Sequence, residues 1–394
     1  MLGLGSALTT GSAHEQLYSL LLDGAGDYLN TGDAFQSTHR GSFSYSFWMK
    51  PDDGQPGAAE NLLGCDNADD TDAFFITLDT AGKIKIDHEA NNDPASYITD
   101  AAAYADGAGD WKHVCVTVTK DTNTSYIIYV DGAAVAGSLT NAVAEAAHAA
   151  WTSSDNVYIG ATNDNGTALN PFTGKMDEVA LFNVALSAAE VAGIYNYGRP
   201  FNLTNDYGDY DQSAALVAYW RMFNGSFDDK VNGVVHDAHN PGFGAELVVD
   251  GGFDDSGEWT SQNDAEDDGN GPWVISGGKA TIDCSSNSIL KNNDNYTIVA
   301  GATYKCTFDV TERNSGNVRI RMGSGSIANG TTRDAVGTYT EYIVGVAAAN
   351  NINFEAGYSA GFDGSIDNVS VVRLNGNPGL TAADATFSTD TPDD

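Results

Sequence analysis

The sequence predicts an all-β protein built as two antiparallel β-sandwich domains in tandem. Three observations carry this reading. Short segments alternate apolar and polar residues with a period of two, as half-buried strands do. Glycine is abundant (44 of 394 residues) and proline scarce (9), which suits many short strands joined by glycine turns. The length is enough for two ordinary domains, and the texture changes after Asn240-Pro241-Gly242-Phe243-Gly244.

In chain order, residues 1–17 read as a flexible arm, with strand signals starting at residues 18–22. The turn Asp23-Gly24-Ala25-Gly26 and the segment Asp27-Tyr28-Leu29 follow. Residues 42–50 alternate small polar residues with aromatics. Residues 74–78 and 83–87 read as a hairpin around Ala81-Gly82. Residues 111–119 pair naturally with 125–130, which end at Asp131-Gly132. The most informative run is 174–191, a strand, a tight corner and one short helix. Ser187 followed by Glu190 forms a capping box, in which the Ser accepts from a free amide at the helix start and the Glu reaches back. Strands resume at residue 246 and recur to about 371. Residues 375–394 are polar and acidic without alternation, and read as a tail.

Acidic residues number 54 and basic residues 18, a net charge of −36. This field opposes nucleic-acid binding, which needs Lys and Arg at phosphates. Two readings stay open: an acidic surface that keeps the chain soluble in salty water, and several bound cations such as Ca²⁺. No apolar run reaches the roughly 18 residues of a membrane span. Cys65, Cys115, Cys284 and Cys306 form no CxxC motif. Cys115 lies within an alternating strand, where a thiol acts as a small hydrophobe. A Cys284–Cys306 bridge is left open.

Several fragments resemble the concanavalin-A-like, laminin-G-like jelly roll. They are Leu22-Asp23-Gly24 with Asp27-Tyr28, Phe43-Ser44-Tyr45-Ser46-Phe47-Trp48-Met49, Trp111-Lys112-His113-Val114, Tyr129-Val130-Asp131-Gly132, Tyr158-Ile159-Gly160 and Gly174-Lys175-Met176-Asp177-Glu178-Val179 with Leu186-Ser187. The phrase Leu216-Val217-Ala218-Tyr219-Trp220-Arg221-Met222 also looks like this family, as a closing strand or the start of a truncated repeat. Residues 246–374 resemble a carbohydrate-binding-module β-sandwich of the galactose-binding-like type, through Ala300-Gly301-Ala302-Thr303-Tyr304 and Ile366-Asp367-Asn368-Val369. The domains read as 1–17 arm, 18–244 jelly roll, 245–374 second sandwich and 375–394 tail.

The resemblance implies a structural Ca²⁺ held by hard oxygen ligands. In the first domain Asp23 and Asp27 would face Asp177; in the second Asp367 would meet carbonyls near Gly251-Gly252. The same residues serve equally as turn and strand-end residues. Asp66, Asp69, Asp70 and Asp72 read as a solvated acidic loop. Sugar sites combine an aromatic face with a few polar groups. Trp151, Tyr158, Asn163, Asp164 and Asn165 are the candidates in the first domain, and Trp259, Trp273, Tyr358 and Phe362 in the second. Each tryptophan also fits a sandwich core.

Catalysis is not expected. A retaining glycosidase needs two carboxylates about 5 Å apart, and the Glu-x-Asp-x-x-Glu triplet of concanavalin-like hydrolases is missing. Asp177 and Glu178, adjacent on a strand, would point to opposite faces. His236 and His239 form an isolated His-x-x-His.

The N-terminus lacks the basic region and apolar core of a secretory signal, although such domains usually work outside cells. The opening Met1-Leu2-Gly3-Leu4-Gly5 resembles structural proteins of marine phages. The expectation is therefore a non-enzymatic virion protein: a capsid decoration or tail-appendage subunit, docked to capsid or tail proteins through its arm, homo-oligomeric, and displaying sugar-binding modules to cell-surface glycans. A secreted bacterial lectin or adhesin and the non-catalytic module of a polysaccharide-degrading enzyme are the alternatives.

Overall fold

The computed structural model describes residues 16–67, 71–262, 272–293, 297–323, 326–346, 351–357, 361–382 and 384–392. The chain divides into two units, Met1–Asn240 with Gly379–Asp394, and Pro241–Pro378. Both are antiparallel sandwiches.

In the first unit one sheet runs, strand by strand, Ala133–Val135, Ser125–Val130, Lys112–Thr119, Phe43–Pro51, Thr173–Phe182, Ser19–Asp23 and Thr386–Ser388. Leu216–Trp220 pairs with the second half of Thr173–Phe182 and thus closes the sheet rather than opening a repeat. The facing sheet runs Gly137–Thr140, Asp93–Thr99, Ile84–Ala90, Ala73–Leu78, Glu60–Asp66, Tyr158–Ile159, Tyr28–Asn30, Gly379–Ala382 and Val234–Val235. The hairpins expected at 74–87 and 111–130 are both present.

Strand alternation sorts the first sheet into two faces. Phe43, Tyr45, Phe47 and Met49 join Val114, Val116 and Val118 in the core between the sheets. Each such side chain contributes roughly 1.5–3 kcal/mol of burial. The opposite face is also covered. Cys115, Tyr129, Ala180 and Phe182 pack against Leu186, Val191, Ile194, Leu203 and Tyr210. The helix Ala188–Tyr195 and the chain after it therefore form an outer third layer. The helix starts with the expected capping box: Ser187 Oγ accepts from the Glu190 amide at 3.3 Å, and the Glu190 carboxylate accepts from the Ser187 amide.

Two expectations need correction. Residues 375–394 are no strandless tail: Gly379–Ala382 pairs with Tyr28–Asn30 and Val234–Val235, and Thr386–Ser388 pairs with Ser19–Asp23. Nor do Asp177 and Glu178 alternate across the sheet. Pairing with Phe43–Pro51 shifts register between Asp177 and Ala180, and Glu178 has φ +50°. Met176 and Val179 both enter the core, so two residues occupy the place of one, as at a β-bulge.

The second unit has one sheet of Val274–Ile275, Ala280–Cys284, Phe362–Leu374, Thr303–Gly316 and Gly337–Val344, with Phe243–Glu246 on Phe362–Leu374. The other runs Trp259–Gln262, Ser288–Asn292, Ile352–Ala356, Val318–Met322 and Ala328–Asn329. Phe253, Trp259, Phe308, Ile320 and Phe354 lie in the core between them. Glu355 is buried yet paired with both Arg319 and Arg321, at 2.6 and 2.9 Å. All four cysteines are free and buried, so Cys284 and Cys306 are unbridged.

Candidate functional site

The turn after the first strand is shaped by its glycines. Gly24 and Gly26 adopt φ of +77° and +105°, a region open to Gly and costly for other residues. A Cβ on Gly24 would collide with Thr173 Oγ1. The tight turn lets Asp27 fold back: its Oδ2 accepts from the Asp23 amide at 3.1 Å, while Asp23 Oδ1 accepts from the Ala25 amide at 2.7 Å. The returning C-terminal segment adds Asp384, whose amide donates to Asp27 Oδ1 at 3.2 Å.

Carboxylate oxygens of Asp23, Asp27 and Asp384 lie within 4.8 Å of one another. Among the described residues this is the one group of three His, Cys, Asp or Glu side chains close enough to share an ion. Ca²⁺–oxygen bonds of 2.3–2.6 Å place ligand atoms up to about 5 Å apart around one ion, so the spacing fits. Asp27 is 2% exposed. Burial pushes its carboxyl up from the usual range, the Asp23 charge and the Asp384 carboxyl add to that, and the Asp23 and Asp384 amides oppose it. A divalent cation would relieve this crowding of like charges.

The structure does not bring Asp177 to this group. Asp23 pairs with Thr173, and Asp177 is four residues further along that strand, roughly 14 Å at 3.4 Å per residue. It is fully buried, its Oδ1 accepting from the Glu178 amide at 2.8 Å. Glu178 Oε1 accepts from Gln16 Nε2 at 2.7 Å and Arg221 Nε at 3.4 Å. Asp384 takes the third place, from a segment whose sequence offers no strand period. In the second unit, Asp367 accepts from the Asn368 amide at 2.6 Å and joins no three-ligand group among the described residues. The Gly251 carbonyl meets the Val369 amide instead, at 2.9 Å.

The predicted sugar contacts are mostly architectural. Trp151 is fully buried, its ring 5.3 Å from His39 and 5.6 Å from His88. Tyr158, 4% exposed, stacks on Tyr28 at 3.9 Å. Asn163 ties its own loop, donating to the Asn156 carbonyl and accepting from the Gly166 amide. Asp164 is half-buried beside Asp66 in a parallel pairing. Trp259 and Trp273 are buried in the second core, with Trp259 Nε1 donating to the Asp250 carbonyl at 2.9 Å. Tyr358, Asp69 and Asp70 lie outside the described residues. Asp72 is buried rather than solvated, accepting from the Asn91 and Thr152 amides. Of the His-x-x-His pair, His236 is buried and His239 exposed.

Residues 23–192 match the family described as the concanavalin A-like lectin/glucanases superfamily, Laminin_G_3. Over these residues the first unit is similar to that family, and its two facing antiparallel sheets agree with such a jelly roll. The match lies wholly within the first unit. Similar solved structures include the CBM40 of Ruminococcus gnavus IT-sialidase (18% identity, 45% of this chain and 96% of that one, TM-score 0.38). Mouse laminin alpha1 chain domains LG4-5 align over 91% of this chain and 90% of theirs at 10% identity and TM-score 0.33. The K499G mutant of Streptococcus pneumoniae NanB sialidase aligns over 95% and 66% at 14% and 0.38. No curated protein matches the chain.

Proposed function

We propose that this chain is a non-enzymatic, glycan-binding adhesion protein, braced by a structural Ca²⁺ at Asp23, Asp27 and Asp384 and carried on a virus particle as a capsid-decoration or tail-appendage subunit. The single observation carrying the binding reading is the lectin-superfamily match of residues 23–192. The state of the carboxylates supports the absence of catalysis. Asp177 and Glu178 are at most 3% exposed, and Glu178 is engaged by Gln16 and Arg221. Both oxygens of Asp27 accept backbone amides. A glycosidase needs its carboxyl pair open to the sugar.

The net charge of −36 supports display in many copies, since like-charged surfaces repel and stay dispersed. Weak sites repeated on a particle, with residues 1–17 docking each homo-oligomeric copy on capsid or tail proteins, gain strength through avidity. Mass spectrometry of purified particles tests the placement. The chain is expected among the particle proteins; its recovery only from the surrounding medium would make it a secreted adhesin instead.

A further inference from the structure

The outer layer of the first unit carries a groove of ≈ 430 Å³ between the Asp131-Gly132 turn, the C-terminal end of the helix Ala188–Tyr195 and the 207–209 loop. Its size falls in the ordinary range of small-molecule sites, about 300–1,000 Å³. Asp131 and the sheet's first strand, Ser19–Asp23, are separated by four strand spacings, about 19 Å at 4.8 Å each. The groove is therefore distinct from the acidic trio.

Three tyrosines define it. Tyr195 is the floor, its ring stacked on Trp48 at 5.9 Å. Tyr197 is 95% exposed and Tyr207 62% exposed. Tyr197 is held outward by its backbone: Asn196 and Tyr197 both adopt left-handed conformations, φ +46° and +58°. Such conformations cost of order 1 kcal/mol or more for non-glycine residues and tend to persist at functional positions. Asn196 Nδ2 fixes the bend by donating to the Arg199 carbonyl at 2.9 Å. Tyr207 is set by reciprocal backbone hydrogen bonds with Tyr210, 2.9 and 3.0 Å, and its ring lies 5.4 Å from Phe201.

The charged side chains lining the groove are both acidic. Asp209 is exposed, and its carboxylate has no hydrogen-bond or ion-pair partner among the described residues. Asp131 is anchored by the His113 amide at 3.0 Å and by Lys112 at 3.3 Å. No Lys or Arg lines the groove.

We infer that this groove is the saccharide-binding site and that it takes neutral hexoses rather than sialylated or sulfated sugars. This deepens the glycan-binding reading and rests on it. Exposed tyrosine faces accept the C–H side of a pyranose ring, and a free carboxylate accepts two hydroxyl hydrogens through charge-assisted bonds. An anionic sugar would meet the free Asp209 carboxylate and the negative field of the whole chain, while the nearby Lys112 is taken up by Asp131 and no Lys or Arg is among the described lining residues.

The test is calorimetric titration of the full chain with lactose, maltotriose, mannotriose and sialyllactose, repeated on a Tyr197→Ala/Tyr207→Ala double variant and on Tyr197→Phe. Both tyrosines are exposed, so folding should persist, and melting temperature checks it. At least one neutral sugar is expected to bind. The double variant should lose about tenfold in affinity, Tyr197→Phe should keep most of it, and sialyllactose should bind more weakly than lactose. A double variant that binds as the wild type does, or tighter binding of sialyllactose, overturns this site assignment and leaves the glycan-binding reading standing. A wild type that binds none of the four sugars overturns both.

Discussion

The amide of Asp384 donates to Asp27 Oδ1 at 3.2 Å, joining the returning end of the chain to its first turn across 357 positions. The strands either side, Gly379–Ala382 and Thr386–Ser388, complete both sheets of the first unit. A cation held by Asp23, Asp27 and Asp384 would therefore couple its binding to the docking of this segment.

Calcium should raise the melting temperature and chelation lower it. A ligand at 100 times its Kd adds about 2.7 kcal/mol, or roughly 5–10 °C for a domain of this size. Asp384→Asn should remove most of the shift. Differential scanning calorimetry reads it, and an unchanged melting temperature in chelator contradicts a structural cation.

The same site sets a pH dependence without metal. The folded-state pKa of Asp27 is raised, so its contribution to stability is present at acid pH and lost as pH rises through that value. In chelator, Asp27→Asn should therefore stabilise the protein near neutral pH and have little effect at pH 3.5. Under saturating Ca²⁺ the sign at neutral pH should reverse, because a ligand is lost.

Buried histidines act in the opposite direction. Burial lowers His39 and His113 to about 3 and takes His88 well below its ordinary value. Their contribution is full above the unfolded value near 6.5 and is lost as pH falls from there toward 3. Melting temperature should fall steeply between pH 6.5 and 4. His88→Gln should flatten that slope, and an unaltered slope would remove His88 from the account.

Trp151 and Ser187 separate architecture from recognition. Trp151→Ala should cost about 3–5 kcal/mol as a core truncation, and Ser187→Ala about 1 kcal/mol as a lost helix cap. Urea unfolding measures both. Wherever the Trp151 variant remains folded, its sugar affinity should match that of the wild type.

Much of the fold is legible because strand alternation and turn chemistry are local. The 83–87 hairpin strand, the Asp131-Gly132 turn and the Ser187–Glu190 cap each follow from a few neighbouring residues. Register is not local. Residues 173–182 read plainly as a strand, but nothing in them says that Thr173 rather than Asp177 faces Asp23. Gly379–Ala382 and Thr386–Ser388 are too short and polar to show a period, and their partners lie far off in sequence, at Tyr28–Asn30, Val234–Val235 and Ser19–Asp23, so nothing local points to Asp384. The tryptophans misled for another reason: a single sequence does not distinguish an aromatic that fills a core from one that faces solvent. The most exposed rings among the described residues are Tyr197 and Tyr207, in the segment that covers the outer face of the sheet.

Neutral glycans are proposed to bind this chain without being cleaved. The most direct measurement incubates the calcium-loaded full chain with the neutral oligosaccharides, following saturable binding and released reducing ends in the same samples. Saturable binding with no increase in reducing ends is expected. Release of new reducing ends, or no binding to any of the sugars, would contradict it.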